Sequence, residues 1–185
     1  MIDVSGFSDA RADYDGVGEL FYASQADCDA SLNSAALAQH ILADGNQFFA
    51  RVDPIELIVE EHALTDGRET RLKVFVFLKR PATSSREMFL QAWERLQADL
   101  LKLDNRFSEL IRLLTSTHSL MPDSAFDGGL EMSFDSISDA KRGYAEWVQL
   151  CERIAVPQQL PAARIPIVAH TCVLFDSAHY KTDLR

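Results

Sequence analysis

Residues recur along this chain at one fixed separation of 112 positions. Phe126-Asp127-Gly128 repeats Tyr14-Asp15-Gly16, and Glu131 and Phe134 repeat Glu19 and Tyr22. Ser136 and Asp139 repeat Ser24 and Asp27, and Pro166-Ile167 repeats Pro54-Ile55 (127 − 15 = 166 − 54 = 112). An offset held across turn, strand and helix signals marks an internal duplication rather than chance composition. It constrains the fold before any single motif does. The chain must be built from two related units, and in 185 residues these share one core or form two small domains.

The units are unequal. Leu72-Lys73-Val74-Phe75-Val76-Phe77-Leu78 is apolar on both faces except for Lys73, which predicts an interior strand covered on both sides. Pro81 ends it. Ser84, three residues before Glu87, predicts a capped helix start. Phe89, Trp93, Leu96, Leu100 and Leu103, spaced by four, three, four and three, define that helix's core face, and Asp104-Asn105 closes it. A strand over Glu109–Leu120 follows, with Ile111, Leu113 and Thr115 on one side. Next come the repeated strand at Glu131–Phe134, a helix with Ala140, Tyr144, Trp147 or Val148, Cys151 and Ala155 on one face, and a strand at Pro166. The second unit therefore reads β-α-β-β-α-β. The first begins partway through. It has a strand at Gly18–Tyr22, a helix capped by Ser24 running through Cys28 and Leu32 toward Leu37 and Ile41, and a strand at Ile55–His62. It has no equivalent of the strand and helix at 71–104. With Thr65-Asp66-Gly67-Arg68 as the boundary, 1–66 is a partial unit, 67–176 a complete one and 177–185 a tail.

The β-α-β-β-α-β order is the split β-α-β, ferredoxin-like pattern. Val74-Phe75-Val76-Phe77-Leu78-Lys79-Arg80, followed by Ser85-Arg86-Glu87-x-Phe89-x-x-x-Trp93, resembles the start of an EthD-type domain. That family shows an apolar strand ending in Lys-Arg, a Ser-x-x-x-Phe helix start and a Trp on the helix. Phe126-Asp127-Gly128-x-x-Glu131-x-x-Phe134-Asp135-Ser136 is similar to the family's second signature, and Tyr14-Asp15-Gly16-x-x-Glu19-x-x-Tyr22-x-Ser24 to a weaker copy of it. The resemblance spans nearly the whole chain as one full and one partial EthD-like unit. It implies an α+β fold in which ferredoxin-like βαββαβ units form a dimeric α+β barrel, with sheets facing each other and helices outside. It implies a small apolar or aromatic molecule as partner and no cofactor. Relatives with that architecture include cofactor-free monooxygenases, isomerases and decarboxylases. Such a fold hosts several chemistries, so function has to come from the site. The chain departs from the family at one point. Many members carry a His one turn after the helix Trp, where this chain has Gln97. A His there could shuttle protons near neutral pH, whereas Gln can only hydrogen-bond.

Net charge is −10 and the sequence pI about 4.9, which repels phosphate backbones and anionic lipid surfaces, so no nucleic acid and no membrane partner is expected. No apolar run approaches the ~20 residues that span a bilayer. Met1 to Gly16 lacks the basic and apolar regions of a secretory signal. Cys28, Cys151 and Cys172, odd in number and without metal-type spacing, read as reduced thiols of a cytoplasmic protein.

His118, near the end of its strand, is a candidate general base, or a hydrogen-bonded structural residue. Glu131 and its repeat partner Glu19 could face one another as paired carboxylates with one raised pKa, or each could satisfy neighbouring basic groups. Phe75, Phe77, Phe89, Trp93, Gln97, Met132 and Phe134 are candidate ligand-binding residues around an apolar cavity, with plain core as the alternative. Lys79 and Arg80 could hold an acidic group or be surface charges. His170 and Cys172 share a strand face but are too few for a metal site, so no metal is expected; Glu60-Glu61-His62 resembles a rim feature of EthD-type sequences, with a solvated strand end as the alternative. Two functions fit: a small-molecule enzyme without organic cofactor, or a non-catalytic binding or assembly protein, which Gln97 favours. The missing central strand of the partial unit bears on assembly. Either its remaining strands close the gap within the chain, or a second chain supplies the edge and a homodimer results.

Overall fold

The described strands form one five-stranded antiparallel sheet in the order β1 (Val59–Ala63), β3 (Ile111–Ser119), β4 (Gly128–Phe134), β2 (Leu72–Lys79), β5 (Ala163–His170), so β2 is an interior strand between β4 and β5. The structure, a computed structural model, describes residues 5, 7, 17–35, 57–68, 70–102, 106–121, 123–154 and 161–170. The other elements of this part are α2 (Arg86–Lys102), α3 (Arg106–Leu110) and α4 (Ile137–Ile154). β4 lies between β2 and β3, so β2-α2-β3 and β4-α4-β5 interleave as a split β-α-β, and the protein is α+β.

Strand alternation sorts the sheet into two faces. Leu72, Val74, Val76 and Leu78, with Leu130, Met132 and Phe134 and with Leu114, turn toward the helices. They form one core with Phe89, Trp93, Leu96 and Leu100 of α2 and Ala140, Tyr144, Trp147 and Cys151 of α4. Lys73, Phe75 and Phe77 turn the other way, as do Glu131 and Ser133. Pro166, which cannot donate to a ladder, sits in β5 at one edge. The other edge is β1, the end of the segment expected to be a partial unit. It pairs antiparallel with β3, from Val59 opposite Ser119 to Ala63 opposite Thr115.

Local chemistry moves several expected boundaries. Ser85, not Ser84, caps α2: its hydroxyl accepts from the Met88 N–H at 3.3 Å and its carbonyl accepts from the Phe89 N–H at 3.0 Å. Glu87 therefore falls one position short of a capping box. The expected strand at Glu109 starts at Ile111, because α3 occupies 106–110. The register of β3 then shifts between Ile111 and Leu113. That bulge puts Ile111 and Leu114, rather than Leu113 and Thr115, into the core. At the second repeat the cap is as expected. Ser136 accepts from the Asp139 N–H at 3.1 Å and donates to its carboxylate at 2.7 Å.

The chain divides into two compact units, one of residues 1–16 and 56–185, described above, and one of Val17–Ile55. In the second, α1 (Gln25–Leu32) repeats the same cap. Ser24 accepts from the Asp27 N–H at 3.2 Å and donates to the Asp27 carboxylate at 2.6 Å. Cys28 is its buried residue. The strand expected at Gly18–Tyr22 is irregular chain, with Leu20 and Phe21 exposed. The stretch 112 positions later, within Gly128–Phe134, is a strand because β2 and β3 complete its ladders on both sides, whereas among the described residues no strand pairs with Gly18–Tyr22. Tyr14-Asp15-Gly16, Leu37, Ile41, Pro54-Ile55, Leu103 to Asn105, Ala155, Cys172 and the tail lie outside the described residues.

Candidate functional site

The sheet separates the residues expected to share one cavity. Phe89, Trp93, Gln97, Met132 and Phe134 are fully buried on the helix side. Phe75, Phe77 and Glu131 lie on the opposite face.

On the helix side, Gln97 is a bridge. Its side-chain oxygen accepts from the Trp147 indole N–H at 2.7 Å, and its amide nitrogen stands 3.9 Å from the Cys151 sulfur. Trp93 meets Trp147 edge-on at 5.9 Å and stacks on Phe89 at 6.2 Å. Gln97 thus ties α2 to α4. Burial pushes the Cys151 thiol up to about 12, so it is a packed thiol rather than a nucleophile.

On the opposite face, Lys73 Nζ and a Glu131 carboxylate oxygen are 2.6 Å apart, with both side chains buried. Register makes this pair. Lys73 stands directly across from Ser133 and Phe75 across from Glu131, so Lys73 and Glu131 are diagonal neighbours. The lone lysine in the apolar strand and the glutamate of the second signature neutralise each other, and the Phe75 ring lies 5.9 Å from the ammonium. The Ser133 hydroxyl, fully buried, has no hydrogen-bond partner among the described residues. Phe77 packs on Phe126 at 5.9 Å on the same face. A face this buried and this polar is unusual for a sheet, because each buried polar atom carries a desolvation cost.

The two signature blocks hold one another. Asp127 is buried, and its carboxylate accepts from the Arg80 N–H at 2.9 Å and the Arg80 Nε at 3.2 Å. Arg86 Nε lies 3.5 Å away and Lys79 Nζ 3.9 Å away. Lys79 and Arg80 are thus engaged by the chain's own aspartate, which pins the end of β2 to the start of β4.

His118 sits at the far end of β3 on the helix side. Its Nε2 is 3.0 Å from Glu94 of α2, and its ring lies 4.6 Å from that of His62 in β1. Burial lowers the His118 pKa most; the Glu94 carboxylate opposes this and His62 adds to it. His62 and Glu94 were not singled out for this site in the sequence. Glu94 lies on a helix and His62 on a strand 56 positions from His118 (118 − 62), and only the β1-β3 pairing brings the two strands together.

Among the described residues, no helix is long and apolar enough to cross a membrane. No curated protein and no solved structure matches the chain. Residues 4–51 match the EthD domain, so the chain is similar to that family over this N-terminal stretch.

Proposed function

We propose that this EthD-like protein binds, and could transform, a small apolar or aromatic metabolite on the sheet face turned away from the helices, without an organic cofactor. The observation that carries this reading is the buried polar set Lys73, Glu131 and Ser133 beside Phe75. An unsatisfied hydroxyl next to a close ion pair is poised to take a hydrogen bond from a ligand. In this reading a ligand hydroxyl or carboxyl hydrogen-bonds there, with Phe75 and Phe77 as its apolar wall. In this reading Phe89, Trp93, Gln97, Met132 and Phe134 support the sheet from behind, and residues 67–176 form the complete unit that carries the site. We place the protein in the cytoplasm as a homodimer, consistent with its buried thiols and with the barrel architecture that the resemblance implies. Calorimetric titration with aromatic acids, naphthols and quinones tests the reading. Binding to the wild type that weakens at least tenfold in Ser133→Val supports it. Failure of every compound to bind, or equal binding by the variant, counts against it.

A second reading, a non-catalytic binding or assembly protein, is favoured by Gln97. It is locked between Trp147 and Cys151 and has no titratable proton to transfer. Ligand binding without turnover of any bound compound, under air and with the full chain, distinguishes it.

A further inference from the structure

The sheet edge carries a second site, unrelated to the ligand face. His62 of β1, Glu94 of α2 and His118 of β3 each bring one donor atom within 4.8 Å of the other two. The β1-β3 ladder explains the convergence. His62 stands across from Ser116 and Glu60 across from His118, so all four side chains leave the sheet on the helix side. α2 crosses above and lowers Glu94 onto His118.

An independent observation concerns the atoms themselves. His62 Nε2, Glu94 Oε1 and His118 Nε2 are each shielded from solvent, and the polar contacts seen for them are the close His118–Glu94 approach and Glu60 at 3.9 Å from His62. Buried polar atoms are ordinarily satisfied. Three solvent-shielded atoms from three different elements, two imidazole nitrogens and one carboxylate oxygen, converge as the donor set of a borderline divalent cation. Bonds of about 2.0–2.2 Å put neighbouring ligand atoms roughly 3–3.5 Å apart. The His118–Glu94 distance of 3.0 Å already meets this. Glu60 Oε2, 3.9 Å from His62 Nε2, adds a second carboxylate and further negative charge. The three side chains are partly exposed, so an ion can enter and keep open positions for water or a ligand.

We propose that His62, Glu94 and His118 form a three-ligand site for a divalent transition-metal ion of the zinc class. The test uses the full chain after chelator treatment. Zinc is titrated by calorimetry, and cobalt(II) serves as the spectroscopic probe. The expected result is one zinc per chain and cobalt d–d absorption without a thiolate charge-transfer band. Glu94→Gln, His62→Asn and His118→Asn should each weaken zinc binding by more than about 100-fold, beyond what loss of an outer-shell partner costs. Glu94→Gln is the variant least able to disturb folding, and its melting curve checks that. No binding by the wild type, undiminished binding in Glu94→Gln and His62→Asn, or a cobalt–thiolate band would each overturn the proposal.

Discussion

The Trp147 indole N–H donates to the Gln97 side chain across 2.7 Å, inside the interface of the two long helices. A fully buried amide is kept there because the indole needs an acceptor and the sulfur of Cys151 tolerates the amide's other end. This one bond accounts for Gln97 as a matter of packing.

Gln97→Leu should therefore destabilise the fold. The new side chain fits the volume but leaves the indole N–H without an acceptor, which costs about 1–3 kcal/mol. A double variant, Gln97→Leu with Trp147→Phe, removes both polar partners and should lose less than the two single effects added. Urea unfolding of the four proteins gives the coupling. Additive losses would mean that the bond contributes nothing.

Lys73 and Glu131 lend themselves to the same cycle with a larger stake. Removing one partner of a buried pair strands the other charge and costs about 3–5 kcal/mol, whereas replacing both with apolar side chains of similar size is often neutral. Lys73→Met and Glu131→Leu should each lower the unfolding midpoint sharply, and the double variant should recover most of the loss. If the polar face serves a ligand, the recovered double variant should still fail to bind. Recovered stability with unchanged binding would separate the ion pair from function.

What could be read from the sequence was whatever depends on neighbours along the chain. The apolar run at 72–78, the helix stripe from Phe89 to Leu100 and the two Ser–Asp caps follow from periodicity and short-range hydrogen bonding, and all are present. Pairing between distant segments was not readable. The Lys73–Glu131 diagonal depends on which residue of β2 faces which residue of β4, and the bulge after Ile111 resets one strand's faces by a single position. His62 meets His118 only because β1 adds to β3. Ser84 and Ser85 both satisfy a capping rule, and the backbone geometry chooses between them.

Asp139 gives a pH-dependent signature of the cap that both repeats share. The Ser136 hydroxyl bond holds its carboxyl below the usual value, with Arg142 adding to the effect. A carboxyl depressed in the folded state contributes stability above its unfolded pKa. That contribution is lost as pH falls through its folded pKa, below about pH 4. Ser136→Ala should cost about 1 kcal/mol at neutral pH. The gap between wild type and variant should narrow as Asp139 protonates, and the carboxyl's pKa by NMR should rise in the variant. An unchanged Asp139 titration would assign the depression to Arg142 alone.

Gly143 tests how tightly α4 lies on the sheet. A Cβ placed there would sit 2.5 Å from Phe134 Cε1. Phe134 is wholly buried in the core, with little room for its ring to withdraw. Gly143→Ala sets two effects against each other. Helix propensity favours Ala by about 1 kcal/mol, while forcing an added methyl into a packed core costs typically 1–3 kcal/mol. Because the ring is confined by its neighbours, the strain should win and the variant should melt lower. Phe134→Leu shortens the obstructing side chain at a cost of its own. In that background the same Gly143→Ala change should become neutral or stabilising, since only the propensity gain remains. A reversal of sign between the two backgrounds, read from paired thermal melts, is the outcome this packing requires; a loss of equal size in both would place the clash with another group.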